Sequence, residues 1–217
     1  MKTKSKALLL TLCAVLLVAA SVLGTMAYLT DNKTVTNTFT VGQVKIKLDE
    51  AKVDENGKAL TGEKAERVKA NSYKLMPGHT YTKDPMVTVL EGSEASYIKM
   101  TVTFSNAKEL DDIFAPNGAD MTKIFNGYDN TSWIYKGNTK DETKNTRTYE
   151  FWYKEAVGAP TADVALDALF DSITVPGTIT NEQLATIEGM TITVNAYAIQ
   201  ADGFADAEAA WAAFKAE

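Results

Sequence analysis

The sequence predicts an all-β fold in which two antiparallel sheets pack face to face. Two observations support this prediction: apolar and polar residues alternate along several stretches, and the helical signals are few and short. Successive side chains of a strand point to opposite faces of its sheet, so an alternation with one apolar side is typical of a half-buried strand. Packing two such sheets together is the simplest way to bury the apolar face of each.

Four stretches show this alternation clearly. Their apolar positions are Val44, Ile46 and Leu48; Ile98, Met100, Val102 and Phe104; Tyr149, Phe151 and Tyr153; and Met190, Ile192, Val194, Ala196 and Ala198. Shorter strands are predicted at residues 86–90 and 132–135, and a further one at residues 34–41. Together these stretches indicate about seven or eight strands in an antiparallel β-sandwich.

Short helical insertions and a short C-terminal helix complete the predicted fold. Thr180 and Gln183 have the spacing of a capping box, which predicts a helix that ends at Gly189. Asp206 is placed to cap a last helix over residues 207–216. A further turn of helix, in a crossover between strands, is indicated by Leu110, Ile113 and Phe114.

The chain contains no long linker, internal repeat or low-complexity block, so residues 43–217 are predicted to form a single β-sandwich domain. Residues 54–57, Asp-Glu-Asn-Gly, have the composition of a turn. The charged stretch at residues 62–71 is interpreted as mobile because it combines glycine with many charged side chains.

Residues 1–27 have the pattern of a cleaved signal peptide. Three lysines precede an apolar segment at residues 7–23, and small residues, Thr25 and Ala27, stand where a signal peptidase requires them. The predicted cleavage lies between Ala27 and Tyr28, so the protein is expected to act outside the cytoplasm. An uncleaved membrane anchor is the alternative, because the apolar segment is about as long as a short membrane span. The membrane is otherwise not an expected partner.

Charge and cysteine content exclude several classes of function. Without the three lysines of residues 1–27, which contain no acidic residue, the 22 basic and 28 acidic residues leave a net charge of −9. So acidic a chain repels nucleic acid and anionic lipid. The only cysteine, Cys13, lies in the predicted signal peptide, so the mature protein has no thiol for a disulfide or for thiolate chemistry.

No catalytic motif is present, and we expect neither enzymatic activity nor a cofactor. The single histidine, His79, follows Met-Pro-Gly and is interpreted as an exposed turn residue. A zinc peptidase normally uses two histidines at helical spacing, and no His-Glu-x-x-His occurs here. No sequence resembling the nucleophile elbow of a serine hydrolase occurs near His79 either.

Two further groups of residues have alternative interpretations. Two clusters of calcium-type ligands do not match the spacing of an EF-hand, and we favour helix caps and turns; they are Asp111, Asp112 and Asp120, and Asn126, Asp129 and Asn130. The aromatic side chains Trp133, Tyr135 and Trp152 could form a sugar-stacking platform. We favour the alternative that a partner sheet and a helix cover both faces of their strands.

The strand at residues 34–41 is the predicted functional element. Its threonines alternate with Val35, Asn37, Phe39 and Val41, which gives high β-propensity and one largely apolar face. Cleavage after Ala27 would leave it close to a free N-terminus. A strand that leaves its own sheet exposes an edge that a strand of another copy can fill. Pairing within its own domain is the alternative.

The same region resembles the TasA/camelysin family of secreted surface and biofilm-matrix proteins of Gram-positive bacteria. The resemblance is strongest over residues 24–48, where Gly-Thr-Met-Ala precedes Tyr-Leu-Thr-Asp and Asn-Thr-Phe-Thr-Val-Gly. It continues more loosely at residues 76–78, 83–85 and 196–204. The resemblance implies a jelly-roll fold, maturation by a dedicated SipW-type signal peptidase, and assembly into a homo-oligomeric fibre, with other matrix proteins as further partners.

On this resemblance, residues 28–42 are the donor segment. Phe39 and Val41 would be its core-facing anchors, and Leu29 and Val35 would engage the far end of the acceptor groove. The function expected is therefore that of a secreted structural protein of the cell surface or biofilm matrix. Two alternatives stay open: a camelysin-like secreted metallopeptidase, for which the sequence offers no zinc ligands, and a monomeric adhesin or glycan-binding module.

Overall fold

The computed structural model describes residues 6, 11–16, 42–114 and 120–215. The chain divides into two compact units, Met1–Val41 and Gly42–Glu217. In the first unit, the described residues are helical. The predicted cleavage site and the predicted strand at residues 34–41 lie outside the described residues. Within the described part of the chain, no helix combines the length and apolar character needed to cross a membrane.

The second unit is built mainly from strands, with short helices between them. The described strands are β1 (Ile46–Ala51), β2 (Arg67–Val68), β3 (Thr80–Thr82), β4 (Met86–Val89), β5 (Ser96–Ser105), β6 (Trp133–Asp141), β7 (Thr146–Tyr153), β8 (Val164–Ala165), β9 (Ser172–Thr174) and β10 (Ile192–Gln200). The described α-helices of this unit are α1 (Ala107–Phe114), α2 (Asn181–Thr186) and α3 (Ala207–Ala213). Short 3-10 turns occupy Gly62–Lys64 and Met121–Lys123.

All the strand pairings are antiparallel. One four-stranded sheet has the order β2-β1-β4-β8, a second has the order β10-β5-β7-β6, and β3 pairs with β9. The predicted all-β class, with antiparallel sheets and few short helices, is therefore confirmed. The arrangement is consistent with an all-β sandwich.

A shared hydrophobic core joins the two four-stranded sheets. Val87 and Val89 of β4 belong to the same buried cluster as the alternating apolar residues of β5 and β7. On β5, Ile98, Met100 and Val102 have no exposed surface, while the polar residues between them are half-buried. The alternation on β5 and β7 thus marks their core-facing sides, as predicted.

The predicted helices are present. The Thr180 side chain accepts a hydrogen bond from the Gln183 backbone, and the Gln183 side chain accepts one from the Thr180 backbone, which is the complete capping box. The Asp206 side chain accepts a bond from the Ala209 backbone and so caps α3. Helix α1 is longer than the single turn expected, because Ala107 and Leu110 both bury their side chains in the core.

Several sequence predictions need correction. Four short strands, β2, β3, β8 and β9, were not predicted, because two or three residues are too few to show an alternation. The strand predicted at 132–135 extends through Asp141, with a bulge between Tyr135 and Gly137, and its polar second half has no apolar alternation that could have revealed it. The stretch at 62–71, interpreted as mobile, instead contains a 3-10 turn and strand β2. Arg67 fixes it by hydrogen bonds to β1 and to the loop before β4.

Candidate functional site

A groove of about 1290 Å³ runs between β1 and β10. Residues 46–50 of β1 form one wall, and residues 190–194, at the start of β10, form the other. Residues 69–75 and the end of α2 close its sides. The groove lies where the two large sheets approach each other at one edge, with β1 of one sheet facing β10 of the other.

Both walls are sheet edges in the described part of the chain. β2 pairs only with Glu50 and Ala51 of β1, so the outer side of residues 46–49 has no strand partner there. The Leu90 backbone N–H donates to the Lys45 carbonyl at 3.0 Å. Backbone groups alternate in direction along an antiparallel strand. Ile46 and Leu48 therefore turn their N–H and C=O groups away from β4 and into the groove.

The other wall offers the same kind of edge. β10 pairs only with β5 among the described strands. The Ser105 N–H donates to the Thr191 carbonyl at 3.0 Å, so the backbone groups of Ile192 and Val194 point away from β5. The groove is therefore bordered by two rows of backbone donors and acceptors that another strand could pair with.

Apolar side chains lie between these edges. They pack against the main core but are only half-buried, unlike the equivalent positions of β5 and β7, and they are Ile46, Leu48, Met190, Ile192 and Val194. The described chain thus leaves one margin of its core partly open to solvent. Covering apolar surface of this kind is favourable by roughly 25 cal/mol for each Å² removed from water.

The floor of the groove is charged and internally paired. Lys83 Nζ lies 2.6 Å from Glu50 Oε2, and the two side chains are 7% and 8% exposed. The Asn71 amide donates to the other oxygen of Glu50 at 3.0 Å. Arg67 bridges Asp49, at 2.5 Å, and Asp84, at 2.9 Å. These bonds hold β1, β2 and the loop before β4 together beneath the groove.

Asp49 is expected to make this floor sensitive to acid. Burial alone would raise the pKa of Asp49, but hydrogen bonds from Arg67 and Lys47 outweigh it and hold the pKa below its ordinary value of 3.8. A carboxylate with a lowered folded-state pKa stabilises the fold above the unfolded pKa, and this contribution disappears as the pH falls through the folded pKa. Thermal melts should therefore show Asp49→Asn less stable than wild type at pH 7, with the difference closing below about pH 4. An unchanged difference at pH 2 would contradict this assignment.

The residues predicted from the sequence to carry the function lie outside the described residues. They are the cleavage pair Ala27 and Tyr28 and the strand residues Leu29, Val35, Phe39 and Val41. The groove itself was not predicted. Its signal in the sequence was the apolar alternation of residues 190–198, which belongs to the last described strand, β10.

His79 lies in a turn, as we favoured, whereas the favoured interpretation of the acidic clusters as caps and turns holds for Asp120 and Asp129 but not for Asp111. The His79 side chain is exposed, and the His79 backbone N–H donates to the Met76 carbonyl in a turn. Asp129 accepts hydrogen bonds from residues two and three positions later, and Asp120 caps a 3-10 turn. Asp111 forms ion pairs with basic side chains of β6 and β7. Among the residues that the structure describes, no three potential metal ligands come together.

The two tryptophans considered as sugar platforms are covered. Trp133 is 1% exposed, and its indole N–H donates to the Asp167 carbonyl at 3.0 Å. Trp152 is 8% exposed and packs against Trp211 of α3, with ring centres 6.1 Å apart. Lys136 Nζ lies 4.0 Å from the Trp152 ring centre. The core on one face and a helix on the other therefore occupy these rings, as the favoured alternative predicted.

Comparison with known proteins identifies no relative: no family model, curated protein or solved structure matches the chain. The groove has strand edges on both walls and apolar side chains between them. These features suit a β-strand better than they suit a small polar molecule.

Proposed function

We propose that this chain is a secreted structural protein of the bacterial cell surface or biofilm matrix, of the TasA/camelysin type with a jelly-roll fold. After cleavage between Ala27 and Tyr28, residues 28–42 of one copy insert as a strand into the groove of the next copy. The observation that carries the proposal is the groove between β1 and β10, whose backbone edges have no partner among the described strands and whose apolar walls are half-exposed.

The sequence of residues 34–41 fits such a groove. In a strand over these residues, Val35, Phe39 and Val41 would share one side with Asn37, and the threonines would share the other, so that this largely apolar side can face the core while the hydroxyls face water. Each apolar side chain of this size contributes about 1.5–3 kcal/mol when fully buried. Backbone pairing along the open edge of β10 adds about 1 kcal/mol for each hydrogen bond.

Strand insertion of this kind leads to fibres. The donor segment and the groove are different surfaces of the same subunit, so each copy can give one strand and receive one. Such a head-to-tail contact does not close on itself and propagates as a filament. Before cleavage the donor segment remains attached to the apolar N-terminal segment in the membrane. A SipW-type signal peptidase is therefore the enzyme that would release the subunit for assembly.

The proposed role is structural rather than enzymatic. The partners are other copies of the chain, with further matrix proteins as additional contacts, and no cofactor takes part. The acidic surface keeps released subunits dispersed, because a net charge of −9 on residues 28–217 makes copies repel one another until the specific contact forms. The groove contact must overcome this repulsion, and salt should therefore accelerate assembly.

Deletion of the donor segment tests the proposal. Purified residues 28–217 should form filaments in negative-stain electron micrographs, while residues 43–217, at the same concentration, should stay monomeric, because they retain the groove but lack the strand. Light scattering measured in parallel gives the mass of each species. Monomers from both chains would reject the proposal, and filaments from both would show that the N-terminal segment is not the donor.

A further inference from the structure

A second, smaller cavity lies against the groove. It encloses about 40 Å³ between the main core and the smaller cluster around Tyr81. Six residues line both the cavity and the groove, so the two share a wall; they are Tyr73, Leu75, Lys83, Ile187, Met190 and Ile192. Ile113 of α1 and Val175 close the far side.

The cavity presents apolar surface to a guest. Its only charged wall residue, Lys83, has its ammonium group bound to Glu50, so the methylene chain is what remains to line the space. The hydroxyl of Tyr73 donates to the Thr82 carbonyl, and that of Tyr81 donates to the Lys74 carbonyl. A polar group in this cavity would lose its hydrogen bonds to water and find no new hydrogen-bond partner, so the cavity favours an apolar group.

The size of the cavity is that of one side chain. A cavity of about 40 Å³ holds roughly three to four waters, because each water needs about 10–15 Å³ of such space. Since a water takes up about 30 Å³ in the liquid, the corresponding space is roughly 90–120 Å³. One large apolar side chain fills such a space, and a longer ligand would have to continue into the groove.

We propose that this cavity is the seat for Phe39 of a second copy of the chain, an inference that rests on the proposed function. Phe39 is the one phenylalanine in residues 28–41, and it lies on the apolar side of the predicted donor strand. Tyr28 would bring a hydroxyl group with no partner, and a valine would leave part of the space unfilled.

The reach of the chain requires a second copy. Where the described domain begins, the Gln43 carbonyl accepts a hydrogen bond from the Glu94 N–H at 2.9 Å, beside the start of β5. The cavity wall includes Phe104, near the other end of β5. Phe104 lies eight residues beyond Ser96, the first residue of β5, which at about 3.3 Å per residue is a distance of about 26 Å. Phe39 precedes Gly42 by three residues, which span at most about 11 Å. A subunit therefore cannot place its own Phe39 in its own cavity.

A seat for one side chain would fix the register of the inserted strand. Backbone pairing alone tolerates a shift of two residues, because such a shift keeps the same side chains facing the core. Placing Phe39 in a fitted cavity removes that freedom, since Phe39 is the only aromatic residue within residues 34–41. The spacing between subunits is then constant along the fibre.

Complementation between two defective variants tests the seat. In residues 28–217, Phe39→Ala keeps the cavity but loses the anchor, whereas Ile113→Phe, at a residue that lines the cavity and not the groove, keeps the anchor but fills the cavity. Each variant alone should remain monomeric. An equimolar mixture should give 1:1 dimers by light scattering and no filaments, because the strand of the second enters the groove of the first and no further contact can follow. Dimers absent from the mixture, with wild type polymerising, would overturn the seat.

Controls separate a blocked seat from a damaged fold. Ile113→Phe must melt no lower than wild type, and Leu75→Trp, at a residue that lines both the groove and the cavity, serves as the second blocking variant. Ile134→Trp adds the same ring at an exposed position on β6, 42% exposed, and should assemble like wild type. If Phe39→Ala polymerises as wild type does while residues 43–217 do not, Phe39 does not occupy the cavity. The proposal that the donor segment inserts as a strand would be unaffected.

A peptide measurement covers the case in which the full chain does not assemble. Titration of residues 43–217 with a peptide of residues 34–42 should show binding roughly tenfold to a hundredfold tighter than with its Phe39→Ala form. The Ile113→Phe domain should lose this preference. Equal affinity for the two peptides would reject the seat, and it would do so whether or not the full chain forms fibres.

Discussion

An aspartate at position 39 should abolish polymerisation of residues 28–217. Phe39 stands on the apolar side of the proposed donor strand, so Phe39→Asp would bring an ionised carboxylate between half-buried apolar side chains such as Ile192 and Val194. A charge buried without a partner costs several kcal/mol, and each 1.4 kcal/mol weakens a contact tenfold. Since every junction of a filament contains this residue, sedimentation velocity should show monomers only.

A matched control lies one residue away. Thr38→Asp adds the same charge to the same strand, but neighbouring residues of a strand point to opposite faces, so this carboxylate would face water. Filaments should therefore form with Thr38→Asp and not with Phe39→Asp. If the two variants assemble equally well, the strand does not insert with Phe39 facing the core, and if neither assembles, charge alone explains the loss.

The strands that the sequence predicts well are those with one face in the main core. β5 and β7 carry large apolar residues at every second position because the other sheet covers that face. β6 shows the limit of this signal. Its second half, residues 137–141, pairs with β7 as an edge strand and buries no large apolar side chain, so nothing in its composition separates it from a loop.

The groove could not be predicted, because it depends on which strands become neighbours. Whether β1 is an edge at residues 46–49 is decided by β2, which pairs with only the last two residues of β1. That pairing joins residues 16 to 18 positions apart, Ala51 with Arg67 and Glu50 with Val68, and has no local signature. The buried charges were equally hidden: Glu50 and Lys83 look like surface residues in the sequence, and only the fold brings them to 2.6 Å.

Removing the positive charge beneath the groove should strongly destabilise the domain. Lys83→Met keeps most of the side-chain stem that lines the groove and the cavity but leaves Glu50, 8% exposed, without its cation. Breaking one side of a buried ion pair typically costs about 3–5 kcal/mol, because the remaining charge is desolvated and unpaired. Urea denaturation of residues 43–217 should show this loss as a lower midpoint with an unchanged slope.

Neutralising the partner as well should recover most of that stability. In Lys83→Met/Glu50→Gln, no unpaired charge remains, and the amide can keep its hydrogen bond with Asn71, so the double variant should be more stable than Lys83→Met alone. A double-mutant cycle with Glu50→Gln gives the coupling between the two side chains. If Lys83→Met costs less than about 1 kcal/mol, the pair behaves as a solvated surface ion pair, and the groove floor is wetter than the 2.6 Å contact implies. If the double variant is stable yet fails to assemble, the floor's charges act on the inserted strand rather than on the fold.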